Sequence, residues 1–121
     1  MVVKIVIAGG RDFKDYKLLE ERCDYYLQDA VEKGYTIKIV CGCAKGADKL
    51  GERYAKARGY EVIYYPANWD AYGKRAGYLR NEEMAIAGDA LIAFWDNQSR
   101  GTKHMIDLAK KHNLHIRIVN Y

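Results

Sequence analysis

The chain has no apolar run long enough to cross a membrane. Among its 121 residues, the longest apolar stretch runs from Val2 to Ala8 and is interrupted by Lys4. A membrane-spanning helix needs about 20 apolar residues. The N-terminus also lacks the longer apolar core and the cleavage site of a signal peptide. We therefore expect a cytoplasmic protein without a membrane partner.

Cysteine is scarce, with Cys23, Cys41 and Cys43 as the three examples. An odd number argues against the disulfide framework of a small secreted domain. No second Cys/His pair stands at zinc-finger spacing from the Cys41–Cys43 pair, which favours two reduced thiols at the end of a strand. We expect neither a metal nor a cofactor.

The charges form no basic block. Twenty Lys and Arg residues and 16 Asp and Glu residues give a net charge of +4, and both signs are mixed along the chain. A nucleic-acid surface usually gathers Lys and Arg on one face, so the pattern argues against nucleic acid as a partner. A modest positive charge suits an anionic small molecule.

Predicted strands and helices alternate along the whole chain. The strands are predicted at residues 2–8, 36–41, 61–65, 89–95 and 114–119, because these segments are rich in β-branched and apolar residues. Four helices fill the gaps, the first with Asp12 as its expected N-cap and the third at 78–87. Residues 67–77 show no periodicity and predict a long functional loop.

This alternation predicts one α/β domain over residues 1–121. The expected architecture is a Rossmann-like three-layer α/β/α fold, in which a five-stranded parallel sheet has the order 3-2-1-4-5. In that order the chain reverses direction between strands 1 and 4. Ligands of open α/β sheets bind in the crevice at such a reversal, beyond the carboxyl ends of the strands.

The loop after strand 1 contains Gly9, Gly10, Arg11 and Asp12. Glycines allow backbone amides to approach an anion, and an arginine can contact phosphate through two hydrogen bonds. The spacing is not the full GxGxxG dinucleotide fingerprint. The alternative is a tight turn with a surface arginine.

The loop after strand 2 contains Gly42, Lys45, Gly46 and Asp48. It lacks the Gly-Lys-Ser/Thr of a P-loop, which excludes a Walker-type ATPase. One interpretation is a phosphate or ribose site in which Asp48 binds a hydroxyl or fixes the loop. In the other interpretation, Asp48 only caps a helix.

The third candidate segment contains Trp69, Arg80 and Asn81. Trp69 either stacks on a base or caps the core, and the second role is favoured although Trp69 stays among the candidate ligand contacts. Arg80 either binds phosphate or pairs with Glu82 or Glu83 on the surface. We favour ligand binding for Arg80 and Asn81.

The loop after strand 4 contains Asp96, Ser99, Gly101 and Thr102. A helix N-terminus here can bind an anion, and Asp96 can orient a sugar hydroxyl. The alternative is a serine or threonine cap in a solvated loop. His104 follows closely and is the one histidine placed near the crevice.

Together the loops form an ordered set of five motifs. The set is Gly9-Gly10-Arg11-Asp12-Phe13, Gly42-x-Ala44-Lys45-Gly46-Ala47-Asp48, Gly77-x-x-Arg80-Asn81-x-x-Met84, Asp89-Ala90-x-Ile92-Ala93-Phe94-Trp95-Asp96 and Ser99-x-Gly101-Thr102-x-His104-Met105. It resembles the YspA-like family of the SLOG superfamily. That superfamily includes DprA, the LOG phosphoribohydrolases and nucleotide sensors, so the resemblance implies a Rossmann-like domain for a nucleotide or nucleotide-derived ligand. Its members often assemble, which fits a homodimer or higher homo-oligomer.

The resemblance also indicates which catalytic residues of the LOG enzymes this chain shares. LOG enzymes cleave a ribose–base bond with an arginine, which Arg80 matches, and with a glutamate, where this chain has Met105. A methionine can act neither as an acid nor as a base. Catalytic candidates are then Arg80 with Glu82, Asp96 or His104.

The resulting expectation is a binding protein, either a sensor or a sequestering protein, with its ligand in the crevice. The alternative is an N-glycosidase or phosphoribohydrolase acting on a nucleotide, and DprA-like binding of single-stranded DNA ranks third.

Overall fold

The computed structural model describes residues 1–121 as five strands and five helices. The strands are β1 (Val2–Gly9), β2 (Thr36–Cys41), β3 (Glu61–Tyr64), β4 (Ala90–Trp95) and β5 (His115–Asn120). The helices are α1 (Tyr16–Glu32), α2 (Ala47–Arg58), α3 (Trp69–Tyr72), α4 (Ala76–Ala87) and α5 (Arg100–Lys111), with a 3-10 turn at Gly73–Arg75. None of the helices combines the length and apolar character that a membrane crossing requires.

The five strands form one sheet in the order β3-β2-β1-β4-β5, and every pairing is parallel. The predicted Rossmann-like fold and strand order are confirmed. β1 is the central strand, with Val6 opposite Val40 of β2 and Leu91 of β4. The reversal therefore lies between the carboxyl ends of β1 and β4, as expected from the sequence.

The core has two layers, one on each face of the sheet. Side chains of β1 alternate between them, because successive residues of a strand point to opposite faces. Ile5 and Ile7 pack with Leu19 of α1 and Tyr54 of α2. Val6 and Ala8 belong to the other layer, which α4 and α5 complete. Neither core layer covers the carboxyl edge of the sheet, where the loops lie.

The predicted N-cap of the first helix is wrong. Asp15 caps α1, since its side chain accepts a hydrogen bond of 3.0 Å from the N–H of Leu18. Phe13 is buried against Phe94, which keeps the chain in a turn before the helix begins. Asp12 instead accepts a hydrogen bond of 2.7 Å from the hydroxyl of Tyr121.

The segment 67–77 is not a continuous loop. α3 occupies four of its residues, and the side chain of Asn68 caps it by accepting from the N–H of Ala71 at 3.1 Å. The 3-10 turn leads directly into α4, which begins at Ala76 rather than at Tyr78. A single helical turn is too short to give a hydrophobic period, so the sequence pattern missed it.

Candidate functional site

A cavity of about 500 Å³ opens at the carboxyl ends of β1 and β4. This volume falls in the usual range for a small-molecule site. The cavity is lined by most of the ligand contacts predicted from the sequence. They are Gly9, Gly10, Arg11, Asp12, Asp48, Trp69, Arg80, Asn81, Asp96, Ser99, Gly101 and Thr102.

The glycines of the first loop hold three elements close together. A Cβ on Gly9 would collide with the carbonyl oxygen of Phe94 and would lie 2.8 Å from the Cβ of Ala47. The N–H of Gly10 donates to the carbonyl of Phe94 at 3.1 Å, and its carbonyl accepts from the N–H of Ala47 at 3.2 Å. The N–H and the carbonyl of Gly10 are thus both hydrogen-bonded within the protein. Neighbouring atoms approach Gly9 and Gly10 so closely that neither position has room for a Cβ.

Asp48 lies in the first turn of α2 and exposes only 5% of its surface. The interpretation as a helix cap is wrong, because Gly46 holds the N-cap position. One carboxylate oxygen, Oδ2, accepts from the N–H of Ala44 at 3.2 Å, which fixes the loop after β2. The other oxygen has no partner in the protein and is accessible from the cavity.

Burial raises the pKa of Asp48 to about 6. The Ala44 N–H and the cationic Arg80, Arg11 and Lys49 act in the opposite direction and do not offset the burial. A carboxyl group with a raised pKa holds its proton more tightly in the folded chain than in the unfolded chain. Its ionisation therefore favours unfolding.

We expect the Asp48 carboxyl to reduce stability as the pH rises from about 4 to about 6. In that window the folded chain binds more protons than the unfolded chain, so the free energy of unfolding falls, by up to about 3 kcal/mol. Urea denaturation at several pH values measures this in wild type and Asp48→Asn. Wild type is expected to lose stability relative to Asp48→Asn over this window, whereas Asp70→Asn, which alters an exposed carboxylate, stays parallel to wild type. Parallel curves for Asp48→Asn would contradict the shifted pKa.

Arg80 projects from α4 into the same region and is 9% exposed. Its Nη1 donates to the carbonyl of Gly42, and its Nε donates to Oδ1 of Asn81 at 3.1 Å. The alternative interpretation, in which Arg80 pairs with Glu82 or Glu83 on the surface, is therefore wrong. Nη2 has no partner in the protein and remains accessible. A buried guanidinium with a free nitrogen is a strong donor for an anion.

Asn81 and Ser99 organise the far wall of the cavity. The Asn81 amide lies 3.5 Å from the carbonyl of Gly101 and 3.4 Å from Nδ1 of His104. Ser99 caps α5, because its Oγ accepts from the N–H of Thr102 at 3.3 Å and is hydrogen-bonded to the Thr102 hydroxyl at 2.9 Å. The cap interpretation holds, and it also places the N-terminus of α5 at the cavity.

Asp96 accepts from the N–H groups of Gln98 and Ser99 at 2.9 and 2.8 Å, both through Oδ1. These backbone bonds lower the pKa of the Asp96 carboxyl. The group is an anion that shapes the loop after β4, and its Oδ2 has no hydrogen-bond partner in the protein.

Trp69 does not cap the core. Half of its surface is exposed, and its ring lines the cavity from α3. Tyr78 was missed by the sequence reasoning, although it also lines the cavity and packs edge-on against His104 at 4.6 Å between ring centroids. Its position three residues before Asn81 was the available signal, since such residues share a helix face.

Three other predicted contacts lie outside this cavity. Gly42 and Lys45 line a second cavity of about 600 Å³ beside the first. Gly46 lines neither, because it packs against the backbone of Gly10 and Arg11.

The predicted catalytic residues also divide into those that line the first cavity and those that do not. Arg80 and Asp96 line the first cavity, whereas Glu82 is exposed outside it. His104 lies behind Asn81, and burial lowers its pKa. Met105 is buried in the core between α5 and the sheet. No three His, Cys, Asp or Glu side chains meet as a metal site.

Sequence comparison decides the family. A model of the YAcAr family, which is the YspA, cpYpsA-related SLOG family, matches residues 3–72. The chain belongs to this SLOG family. The match runs from β1 through α3, so it includes the loops after β1 and β2. Arg80 and the loop after β4 lie beyond it.

Two further proteins are similar to the SLOG chain. Gene 61 protein of Mycobacterium phage D29 is 34% identical over 125 residues, which covers 98% of this chain and 95% of that protein. The crystal structure of a predicted subunit of tRNA methyltransferase from Methanocaldococcus jannaschii aligns with a TM-score of 0.46 and 15% identity. That alignment covers 99% of this chain and 67% of the other.

Proposed function

We propose that this SLOG protein binds a nucleotide or nucleotide-derived ligand in the cavity between the ends of β1 and β4, as a sensor or a sequestering protein. One observation carries the proposal. Asp48 and Arg80 have opposite charges, are both about nine-tenths buried, and each keeps one polar terminus free at the same cavity. A largely buried charged group that keeps one accessible terminus at a cavity is positioned to interact with a polar ligand there.

The two charges suit the two polar parts of a nucleotide. The free oxygen of Asp48 can accept hydrogen bonds from ribose hydroxyls, and the free Nη2 of Arg80 can donate to a phosphate oxygen. The first turn of α5 adds backbone donors and a positive helix end at Gly101. Trp69 offers an exposed aromatic face on which a base can stack.

Binding without turnover is favoured because the wall contributed by α5 has no acid. Met105, where the LOG glutamate would stand, points into the core. The bonded Oδ1 of Asp96 is committed to two backbone N–H groups. Because these bonds lower the pKa of Asp96 and keep it ionised, α5 and the loop before it offer the ligand anchoring groups but no general acid.

One feature favours hydrolysis of an N-glycosidic bond as a second candidate. Asp48 and Arg80 both lie against Gly42, where an added Cβ would be 2.7 Å from Oδ2 of Asp48 and 2.9 Å from Nη1 of Arg80. A carboxylate beside a ribose can stabilise the oxocarbenium-like transition state of that reaction.

Calorimetry against the common nucleoside monophosphates, with chromatography of each ligand afterwards, tests the proposal. We expect at least one of them to bind saturably, to bind more tightly than its nucleoside, and to be recovered intact. At a concentration of 100 times Kd, binding adds about 2.7 kcal/mol to stability, so Tm rises by several degrees. A ligand recovered as free base and ribose phosphate would establish hydrolysis instead. The absence of binding by nucleoside monophosphates, ADP and adenosine 3′,5′-bisphosphate alike would refute both functions.

A further inference from the structure

We propose that the second cavity is a separate anion subsite, which accepts a phosphate group other than the one at the first cavity. The identity of that group as a second phosphate of the same ligand rests on the proposed function. The ligand class is then a nucleotide with two phosphate groups rather than a simple monophosphate.

The second cavity is contiguous with the first. It lies between the loop after β2 and the segment at Pro66 and Ala67 that follows β3. Arg11, Trp69 and Arg80 line both cavities. One ligand can therefore extend from one cavity into the other without leaving the site.

The charges of the two cavities differ. The first combines cationic side chains with the carboxylates of Asp12, Asp48 and Asp96. The lining of the second includes Arg11, Lys45 and Arg80 but no acidic residue. Neither Arg11 nor Lys45 forms an ion pair within the protein. Three cations on one concave surface whose lining holds no acidic residue favour an anionic occupant.

Arg80 connects the two cavities. Its Nη1 lies against Gly42, which lines only the second cavity. Its free Nη2 lies 4.0 Å from where a Cβ of Gly77 would be, and Gly77 lines only the first cavity. The guanidinium has enough donors to contact a separate oxygen on each side. Because Arg80 is about nine-tenths buried, little water competes for these contacts.

Because Cys43 does not line the first cavity, it provides a reporter for the second. It lines this cavity and is partly exposed, whereas Cys23 and Cys41 are buried. Iodoacetamide should therefore modify Cys43 in the folded protein, and peptide mass spectrometry can follow the rate. The probe is inorganic pyrophosphate, which needs no base or ribose to bind.

We expect saturating pyrophosphate to slow the alkylation of Cys43 at least about fivefold. The Lys45→Ala variant should need about tenfold more pyrophosphate for the same protection, which is the effect of losing one charge-assisted contact. Lys49→Ala removes the same charge from the first turns of α2, outside both cavities, and should behave as wild type. Lack of protection, or equal protection in Lys45→Ala and wild type, would overturn the subsite.

Calorimetry with AMP, ADP and adenosine 3′,5′-bisphosphate separates this inference from the proposed function. The two-phosphate ligand class predicts that one of the latter two binds more tightly than AMP and that Lys45→Ala removes the gain. Nucleotide binding without that gain and without Cys43 protection would overturn the subsite and keep the proposed function. Lys45-dependent protection by pyrophosphate, with no nucleotide binding, would support the subsite and refute the nucleotide proposal.

Discussion

Replacing Arg80 with alanine should weaken nucleotide binding by about 10- to 100-fold, which corresponds to the loss of one charge-assisted hydrogen-bonded contact of about 1.5–3 kcal/mol. The guanidinium is largely buried and already fixed by Gly42 and Asn81. A fixed donor loses little freedom on binding, so most of its interaction energy appears in the affinity. Isothermal titration calorimetry with the best-binding monophosphate measures the effect.

Two variants make this result specific. Arg75→Ala removes the same charge from an exposed position in the 3-10 turn outside both cavities, and should bind as wild type. Arg80→Lys keeps the charge but loses the planar fork, so it should fall between wild type and Arg80→Ala. Thermal melts of the unliganded variants establish that each is folded. A folded Arg80→Ala that binds as tightly as wild type would remove Arg80 from the site.

The Gly46→Ala variant should lose at least about 3 kcal/mol of stability. Gly46 has φ +77° and ψ −128°, a conformation that is essentially confined to glycine and costs other residues about 1–3 kcal/mol. The new Cβ would also collide with the Gly10 carbonyl and lie 2.7 Å from the backbone of Arg11. Backbone atoms on both sides leave no side chain that can move away.

Gly59→Ala is the matched control for this effect. Gly59 also has a positive φ, +74°, but a Cβ there meets nothing within 4 Å. Only the left-handed strain of roughly 1–2 kcal/mol remains. Urea denaturation of both variants and wild type measures the difference. Equal losses would show that the loops after β1 and β2 separate at little cost.

The fold was predictable because its signals are local and repeated. The β-branched segment of β1 and the glycines that end α1 and α2 mark the alternation, and the topology rules then leave few strand orders. α3 was missed because four residues carry no period. The sequence predicts too early a start for the first helix. The turn at Phe13 depends on the burial of that side chain against Phe94, which lies far away in the sequence.

The candidate site was predictable only as a set of loops. Parallel strands bring their carboxyl ends to one edge, so Arg11, Asp96 and Gly101 were correctly placed together. The roles of individual side chains depend on tertiary contacts. The burial of Asp48, the bond from Arg80 to Gly42 and the position of Trp69 are set by how the loops and α4 pack against one another. No local pattern contains that information, and whether these residues bind a ligand stays a prediction.

The bonds of Gly10 also have a kinetic meaning. They fix the loop after β1 to β4 and α2, while Tyr121 holds Asp12 from the end of β5. A ligand then meets a surface whose main chain is already in place, so little ordering entropy opposes association. Encounter with such a surface needs no slow loop closure. Under the proposed function, ligands of this site differ mainly in their dissociation rates, and a sensor of this kind follows the ligand concentration without a lag.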